Sequence, residues 1–260
     1  MIKSLKSRVE GIALEIFLPE APLFSVIYCN GFPGSTGSNE LIEYLNAQRV
    51  CVIFPQYPGV YDSDGLFTVA SASNSIVQVA KFVSEKRLTN IKNDRTIDGI
   101  PRVTSIFSHS FGSVIANRAC GLIEDLRSVV MLAPIISYQR VPVDYGVRED
   151  GLNQLDYVKR SRPYTYRFGS TDDWERLFSG ESLDLPEDRY YPKIILGIVG
   201  KKDSEFDIPV LMECFQNIIP FQHQTAECRL ILVEDASHAR QQMLESQIVK
   251  DSIEWALGRA

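Results

Sequence analysis

One serine of this chain stands where a strand pattern gives way to a helix pattern. The segment Ser108-His109-Ser110-Phe111-Gly112 follows the short β-branched run 102–107 and precedes apolar positions with helical spacing. A tight turn between a strand and a helix exposes a serine hydroxyl above the sheet, and the backbone N–H of the next residue then points at a developing oxyanion. The segment therefore predicts Ser110 as a nucleophile and the N–H of Phe111 as an oxyanion donor.

A serine nucleophile needs a base to accept its proton, and the chain contains three histidines. His238 directly follows the last predicted strand, so it should lie at the same edge of a parallel sheet as Ser110. His109 is expected to point away from its neighbour Ser110 and to be structural, and His223 lies in a polar connection without a motif. We therefore predict that His238 is the base.

The base in turn needs a carboxylate that orients its ring. We expect this group in the loop after the preceding strand, where segment 200–207 contains three acidic residues. Asp203 is the best placed of them. Glu205 and Asp207 remain alternatives, and Asp207 could instead cap the helix that follows.

A second oxyanion donor is expected in the glycine-rich segment 29–37, which follows an earlier strand. Proline has no N–H, so Pro33 cannot donate and the N–H of Phe32 is the predicted donor. Phosphate binding is disfavoured because the segment lacks both the GxGxxG spacing and a Gly-Lys-Ser/Thr ending. We expect Gly31, Phe32 and Phe111 to contact a substrate as well.

The rest of the chain alternates between strand and helix patterns. Near-continuous apolar runs predict buried strands over 24–29, 50–54, 103–107, 129–135, 194–199 and 230–233. Amphipathic stretches predict helices over 41–48, 69–83, 112–123, 208–219 and 239–257, with Ile248 of the last helix toward the core. The alternating pattern of Ile12–Phe17 predicts that an antiparallel edge strand opens the chain. This order predicts the α/β class, with a mostly parallel central sheet and helices on both faces.

A long segment, 137–192, interrupts this alternation and is rich in aromatic residues. Structureless loops of such length are uncommon inside compact domains, so we predict a helical cap or lid, with Tyr138 and Trp174 facing a substrate. A peripheral helical excursion is the alternative. The predicted core is 1–136 and 193–260, and segment 86–101 is expected to be a polar surface loop.

Composition restricts the class of protein further. A net charge of −6 argues against nucleic-acid binding. The sequence shows neither a membrane-spanning run nor a signal peptide, which predicts a cytoplasmic protein. The five cysteines are scattered and mostly lie in apolar runs, which predicts reduced, buried thiols and no metal site.

Together these residues resemble the α/β-hydrolase superfamily. Asn30-Gly31-Phe32-Pro33-Gly34 is similar to its His-Gly oxyanion motif, and Ser108-His109-Ser110-Phe111-Gly112 is similar to its nucleophile elbow. Asp203 and His238 follow in the order that this fold uses, and segment 57–65 resembles the Arg-Gly-x-Gly-x-Ser segment of some members. Asn30 stands in place of the usual histidine, and Ser108 stands in place of a glycine.

The resemblance implies a serine hydrolase that cleaves a carboxylic ester or thioester of a small acyl substrate through an acyl-enzyme, without a metal or an organic cofactor. A peptidase or amidase, a C–C bond hydrolase and a non-catalytic ligand-binding protein remain alternatives. The basic cluster 159–162 could attract an anionic carrier such as coenzyme A or could be a solvated helix end. A homodimer is left open.

Overall fold

The computed structural model describes residues 4–85, 87–135, 155–170, 172, 192–204, 208–209, 211–212, 215 and 227–258. Within these residues, eight strands form the main sheet, and a separate hairpin consists of β5 (Leu88–Asn90) and β6 (Arg95–Ile97). The strands of the main sheet are β1 (Ser4–Val9), β2 (Ile12–Phe17), β3 (Phe24–Cys29), β4 (Val50–Pro55), β7 (Val103–His109), β8 (Ser128–Leu132), β9 (Ile194–Gly200) and β10 (Glu227–Val233).

The sheet order is β1-β2-β4-β3-β7-β8-β9-β10. The pairings β1–β2 and β2–β4 are antiparallel, and every pairing from β4 to β10 is parallel. The helices are α1 (Glu40–Ala47), α2 (Val69–Glu85), α3 (Gly112–Cys120), α4 over 155–161, α5 (Arg240–Glu245) and α6 (Gln247–Leu257). The described residues among 208–215 are also helical. The predicted fold class is therefore confirmed.

The sheet has a separate apolar core on each of its two faces. Alternate residues of β3 point to opposite faces, with Ile27 in the core beneath α2 and α3, and Val26 in the core beneath α1, α5 and α6. Burial of both faces explains the near-continuous apolar runs, since such strands have no polar side. Helix α1 begins after Asn39, whose side-chain Oδ1 accepts from the N–H groups of Leu41 and Ile42.

Three sequence predictions about these elements are wrong. β2 is not the edge strand, because β1 precedes it and pairs along its whole length. Segment 86–101 is not merely a polar loop: it contains the β5–β6 hairpin, whose Leu88 and Ile97 are buried in the core. The predicted helix 239–257 is broken at Ser246, whose extended backbone separates α5 from α6.

The break at Ser246 changes which residues of the C-terminal segment face the core. Leu244 and Val249 are both buried, and this spacing of five does not fit one continuous helix. Ile248, which we expected in the core, is therefore 58% exposed. No helix in the described part of the chain is long and apolar enough to span a membrane.

One glycine determines how closely the start of α3 approaches the end of β3. A Cβ atom on Gly112 would lie 2.1 Å from the carbonyl oxygen of Cys29. No real side chain tolerates that distance from a backbone atom, so Gly112 permits the contact. Because α3 follows Ser110 directly, the contact also determines where the serine lies relative to segment 30–37.

Substituting Gly112 by alanine tests this close approach. Alanine normally stabilises a helix by about 1 kcal/mol relative to glycine. Here the clash with Cys29 should reverse the sign, and we expect Gly112→Ala to lower the free energy of unfolding by about 3 kcal/mol. Urea denaturation measures the change.

Gly99→Ala is the matched control, because Gly99 has a φ of +78° and no heavy atom within 4 Å of an added Cβ. It should cost only about 1–2 kcal/mol through its backbone conformation. An alanine at position 112 that leaves stability unchanged would contradict the backbone contact.

Candidate active site

Ser110 lies in a strained turn between β7 and α3. Its φ of +53° is in the left-handed region, which residues other than glycine adopt rarely. Its N–H donates to the carbonyl oxygen of Leu132 at 3.0 Å, and its own carbonyl accepts from the N–H of Ser113 at 2.9 Å. Strained backbone of this kind is concentrated at functional sites, and the turn projects Ser110 from the carboxyl edge of the parallel strands.

Ser108, where the elbow pattern has glycine, is accommodated by its surroundings. It lies within β7 rather than at a positive φ, so this position does not require the conformational freedom of glycine. Its side chain is fully buried, and its hydroxyl lies 3.0 Å from the Ser113 hydroxyl and donates to the Val130 carbonyl oxygen at 3.4 Å. Serine in place of glycine at position 108 therefore buries a hydroxyl that has hydrogen-bond partners.

Asp203 and His238 are joined by a hydrogen bond. Oδ2 of Asp203 lies 2.9 Å from Nδ1 of His238, and the carboxylate side chain is completely shielded from solvent. A carboxylate accepts, so the proton is on Nδ1 and the lone pair is on Nε2. Nε2 is then the nitrogen that could take a proton from a nucleophile. Both alternatives for the acid, Glu205 and Asp207, lie outside the described residues, as does His223.

The loops that carry Asp203 and His238 contact each other through their backbones. A Cβ atom on Gly200 would lie 2.2 Å from the carbonyl oxygen of Ala236, so only glycine permits this approach. The N–H of Lys202 donates to the same carbonyl at 2.9 Å. These contacts fix the two loops at one distance from each other.

A chain of hydrogen bonds holds the predicted oxyanion loop, segment 30–37. Nη1 of Arg240 donates to the Tyr28 hydroxyl at 2.7 Å, and this hydroxyl donates to Oδ1 of Asn30 at 3.2 Å. Nδ2 of Asn30 then donates to the carbonyl oxygen of Ser35 at 2.9 Å. Burial, opposed in part by the charge of Arg240, raises the pKa of Tyr28 to about 12, so the phenol remains a donor. Asn30, which stands in place of the histidine of the similar His-Gly motif, thus anchors the loop.

The other end of the same loop is held by a buried carboxylate. Oε2 of Glu15 accepts from the N–H of Gly37 at 3.0 Å, and Glu15 is only 5% exposed. Near the start of the loop, Gly31 lies against Ser110, since a Cβ atom added to it would be 3.3 Å from Cβ of Ser110. The structure therefore brings segment 30–37 and Ser110 together, as the sequence predicts.

Phe32 and Phe111 belong to an aromatic cluster above the sheet. The other rings of the cluster are Phe67, Tyr166 and Phe168, and neighbouring centroids lie 5.2–6.3 Å apart. Phe111 is 2% exposed and belongs to the apolar core. Phe32 is partly buried.

Part of segment 137–192 is attached to this cluster. The N–H of Phe67 donates to the Arg167 carbonyl oxygen at 2.7 Å, and the N–H of Arg167 donates to the Gly59 carbonyl oxygen at 2.7 Å. The Tyr166 hydroxyl contacts both the N–H and the carbonyl oxygen of Gly34, at 2.8 and 3.2 Å. Residues 165–169 are therefore attached both to the loop after β4 and to the predicted oxyanion loop.

An open cleft adjoins the predicted oxyanion loop. Its lining includes Asn30, Gly31, Gly34, Tyr57, Tyr61 and Tyr166. Tyr138 and Trp174, which the sequence predicts to face a substrate, lie outside the described residues. Among the residues that the structure describes, no group of three His, Cys, Asp or Glu side chains could hold a metal ion.

Sequence reasoning missed three residues of this site. The ring of His109 does not point away from the site, because its Nε2 lies 3.1 Å from the carbonyl oxygen of His238. Tyr28 and Arg240 were also missed. The sequence contained a signal for both residues. A tyrosine inside a buried strand requires a hydrogen-bond partner for its hydroxyl, and an arginine two residues after the predicted base could be that partner.

Comparisons with solved structures identify the fold. No protein-family model matches the sequence, and no curated protein sequence does either. An esterase of Pyrococcus furiosus has a TM-score of 0.62 and 17% sequence identity, over 99% of this chain and 90% of that one. An α/β serine hydrolase without lid from Xanthomonas campestris has a TM-score of 0.58 and 15% identity, over 99% and 94%.

Est1E from Butyrivibrio proteoclasticus, in a structure with bound ferulic acid, has a TM-score of 0.60 and 15% identity, over 98% of this chain and 99% of that one. These similarities extend over nearly the whole chain. The mostly parallel sheet with helices on both faces, described above, is consistent with them. The chain therefore has the α/β-hydrolase fold.

Tyr28→Phe tests the hydrogen-bond chain behind the oxyanion loop. Removing the hydroxyl leaves Nη1 of Arg240 and Oδ1 of Asn30 without this partner, and we expect a loss of about 1–3 kcal/mol in the free energy of unfolding. The control is Tyr44→Phe, because the Tyr44 hydroxyl donates to the Lys250 carbonyl at 3.5 Å, near the limit of a hydrogen bond. Equal losses in the two variants would contradict the role of Tyr28.

The pH dependence of stability tests the environment of His109. Burial, with a contribution from the charge of Arg240, lowers the pKa of His109 to about 3. The unfolded chain, with an ordinary histidine pKa near 6.5, binds the proton more readily, so stability should be lost as pH falls below about 6.5. Between pH 8 and pH 5, the wild type should lose about 1–2 kcal/mol more than His109→Gln in urea denaturation. Equal losses would show that His109 titrates normally.

Proposed function

We propose that the protein is a serine hydrolase that cleaves a carboxylic ester or thioester, with Ser110 as nucleophile, His238 as base and Asp203 as the orienting acid. The observation that carries the proposal is the hydrogen bond of 2.9 Å between the buried carboxylate of Asp203 and His238. It lies at the same edge of the sheet as the left-handed turn at Ser110. Esterases among the solved structures of the same fold support an ester as the substrate.

In the proposed reaction, Nε2 of His238 takes the proton of the Ser110 hydroxyl while Oγ attacks the acyl carbon. The oxyanion of the tetrahedral intermediate accepts hydrogen bonds from the N–H groups of Phe32 and Phe111. Collapse breaks the bond to the leaving alcohol or thiol, which receives the proton from His238. Water then attacks the acyl-enzyme by the same route, and Asp203 stabilises the imidazolium in both steps.

Several features of the surroundings support a small acyl substrate. An open cleft beside the proposed oxyanion loop is lined in part by Gly31, next to the proposed donor Phe32. Among the described residues, Gly31 and Phe32 are proposed to contact the substrate, and Phe111 is proposed to contact it through its backbone N–H. Tyr138 and Trp174 remain proposed contacts from the segment 137–192.

We retain segment 137–192 as a proposed cap on a core of 1–136 and 193–260. Its described part supports this assignment, because Leu155 and Val158 of α4 are buried in the same apolar core as Phe67 and Phe111. The backbone ladder between residues 165–169 and the loop after β4 also supports it. Of the basic cluster 159–162, Arg160, Ser161 and Arg162 are exposed at the end of α4.

Three substitutions test the proposed triad. We expect Ser110→Ala and His238→Ala to lower kcat for p-nitrophenyl acetate by at least about 10⁴-fold, and Asp203→Asn by about 10²–10⁴-fold, because the hydroxyl, its base and the orienting charge act as one unit. The matched controls are Ser84→Ala and Asp251→Asn, which alter exposed residues of α2 and α6 and should keep kcat within about twofold.

A folded Ser110→Ala variant that still cleaves the ester at the wild-type rate would refute the nucleophile. Full activity of Asp203→Asn together with loss in Asp207→Asn would move the acid to Asp207. A panel of p-nitrophenyl esters of increasing length, acyl thioesters and aminoacyl anilides then separates esterase, thioesterase and amidase activity. Binding of these esters without turnover in the wild type would favour the ligand-binding alternative.

A further inference from the structure

His109 lies between the two loops that flank Ser110. On one side, its Nε2 is 3.1 Å from the backbone carbonyl oxygen of His238, and the two imidazole centroids are 5.1 Å apart. On the other side, its carbonyl oxygen and Nδ1 lie 3.3 and 3.5 Å from the position that a Cβ would take on Gly31. The ring therefore contacts the loop of the proposed base and faces the proposed oxyanion loop, directly beside the proposed nucleophile in the chain.

The partner of Nε2 determines the chemical state of this ring. A carbonyl oxygen can only accept, so Nε2 of His109 carries a proton and donates it to His238. The charged or titratable groups that act on the ring are Arg240, His238 and Asp203. Burial and the positive charge of Arg240 keep the ring neutral at neutral pH, since they lower its pKa to about 3. The donor is therefore available throughout the range in which a histidine base works.

We propose that His109 is a positioning residue, whose Nε2–H holds the backbone of His238 at a fixed distance from Ser110. The inference rests on the proposed function. Asp203 fixes the His238 ring through Nδ1, but that bond alone does not fix the main chain from which the ring projects. The bond from His109 supplies a second anchor, and this anchor is covalently connected to the nucleophile through one peptide bond.

This role differs from simple filling of space. A side chain of similar volume without a donor would occupy the same position but would leave the His238 carbonyl without this hydrogen bond. The base loop could then move relative to Ser110, and proton transfer depends on hydrogen-bond distance between nucleophile and base. Binding of the substrate involves other groups, so the effect should be on kcat rather than on KM.

A pair of variants separates the donor from the volume. Glutamine can place its amide N–H near the position of Nε2, whereas methionine fills the space and cannot donate. With p-nitrophenyl acetate as substrate, we expect His109→Met to lower kcat by about 10–100-fold with KM within twofold of wild type, as for other small displacements of catalytic groups. We expect His109→Gln to recover at least a third of the wild-type kcat. Urea denaturation at pH 8 checks that both variants are folded.

Two results would overturn the inference: wild-type kcat in His109→Met, or equal losses of kcat in the two folded variants. A second measurement needs no variant that folds poorly. In the ¹⁵N spectrum of the wild-type imidazoles at pH 7, His109 should be neutral with its proton on Nε2, and a proton on Nδ1 would also overturn the inference.

Ser110→Ala measured in parallel separates this inference from the proposed function. If Ser110→Ala keeps its activity, the proposed function fails and the positioning role fails with it. If Ser110→Ala is inactive and His109→Met is fully active, only the positioning role fails.

Discussion

The main-chain contacts at the carboxyl edge of the sheet constrain every other feature of this site. Gly112 allows the start of α3 to touch the end of β3, and Gly200 allows the loop of Asp203 to touch the loop of His238. A side chain at either position would push two backbones apart by more than an ångström. Backbone packing therefore provides the frame that carries the proposed nucleophile, base and acid.

Buried polar groups then join the parts of this frame. Asp203, Tyr28 and His109 each connect segments that are far apart in sequence. Asp203 bonds to the His238 ring, Tyr28 bonds to Arg240 and Asn30, and His109 bonds to the His238 carbonyl. Such bonds are costly to leave unmade away from water, because each buried donor or acceptor would lose its partner. The site is thereby restricted to one arrangement, which is the requirement for a preorganised catalytic centre.

Much of this arrangement could be predicted from the sequence. The strands could be located because strands buried on both faces have near-continuous apolar runs. The site residues could be grouped because the loops after parallel strands meet at one edge of the sheet. β1 was missed since its alternating Lys6 and Arg8 give it one polar face. The break at Ser246 and the orientation of His109 could not be predicted, because both depend on contacts between segments distant in sequence. The contact between His109 and His238 joins residues 129 positions apart.

The most direct test of the central claim is reaction with a fluorophosphonate probe, followed by proteolysis and mass spectrometry of the labelled peptide. If Ser110 is a nucleophile activated by His238 and Asp203, one probe should attach to each chain at Ser110, and the label should disappear in His238→Ala. An intact wild-type protein that remains unlabelled, under conditions that label a known serine hydrolase, would contradict the claim. So would a label on another serine.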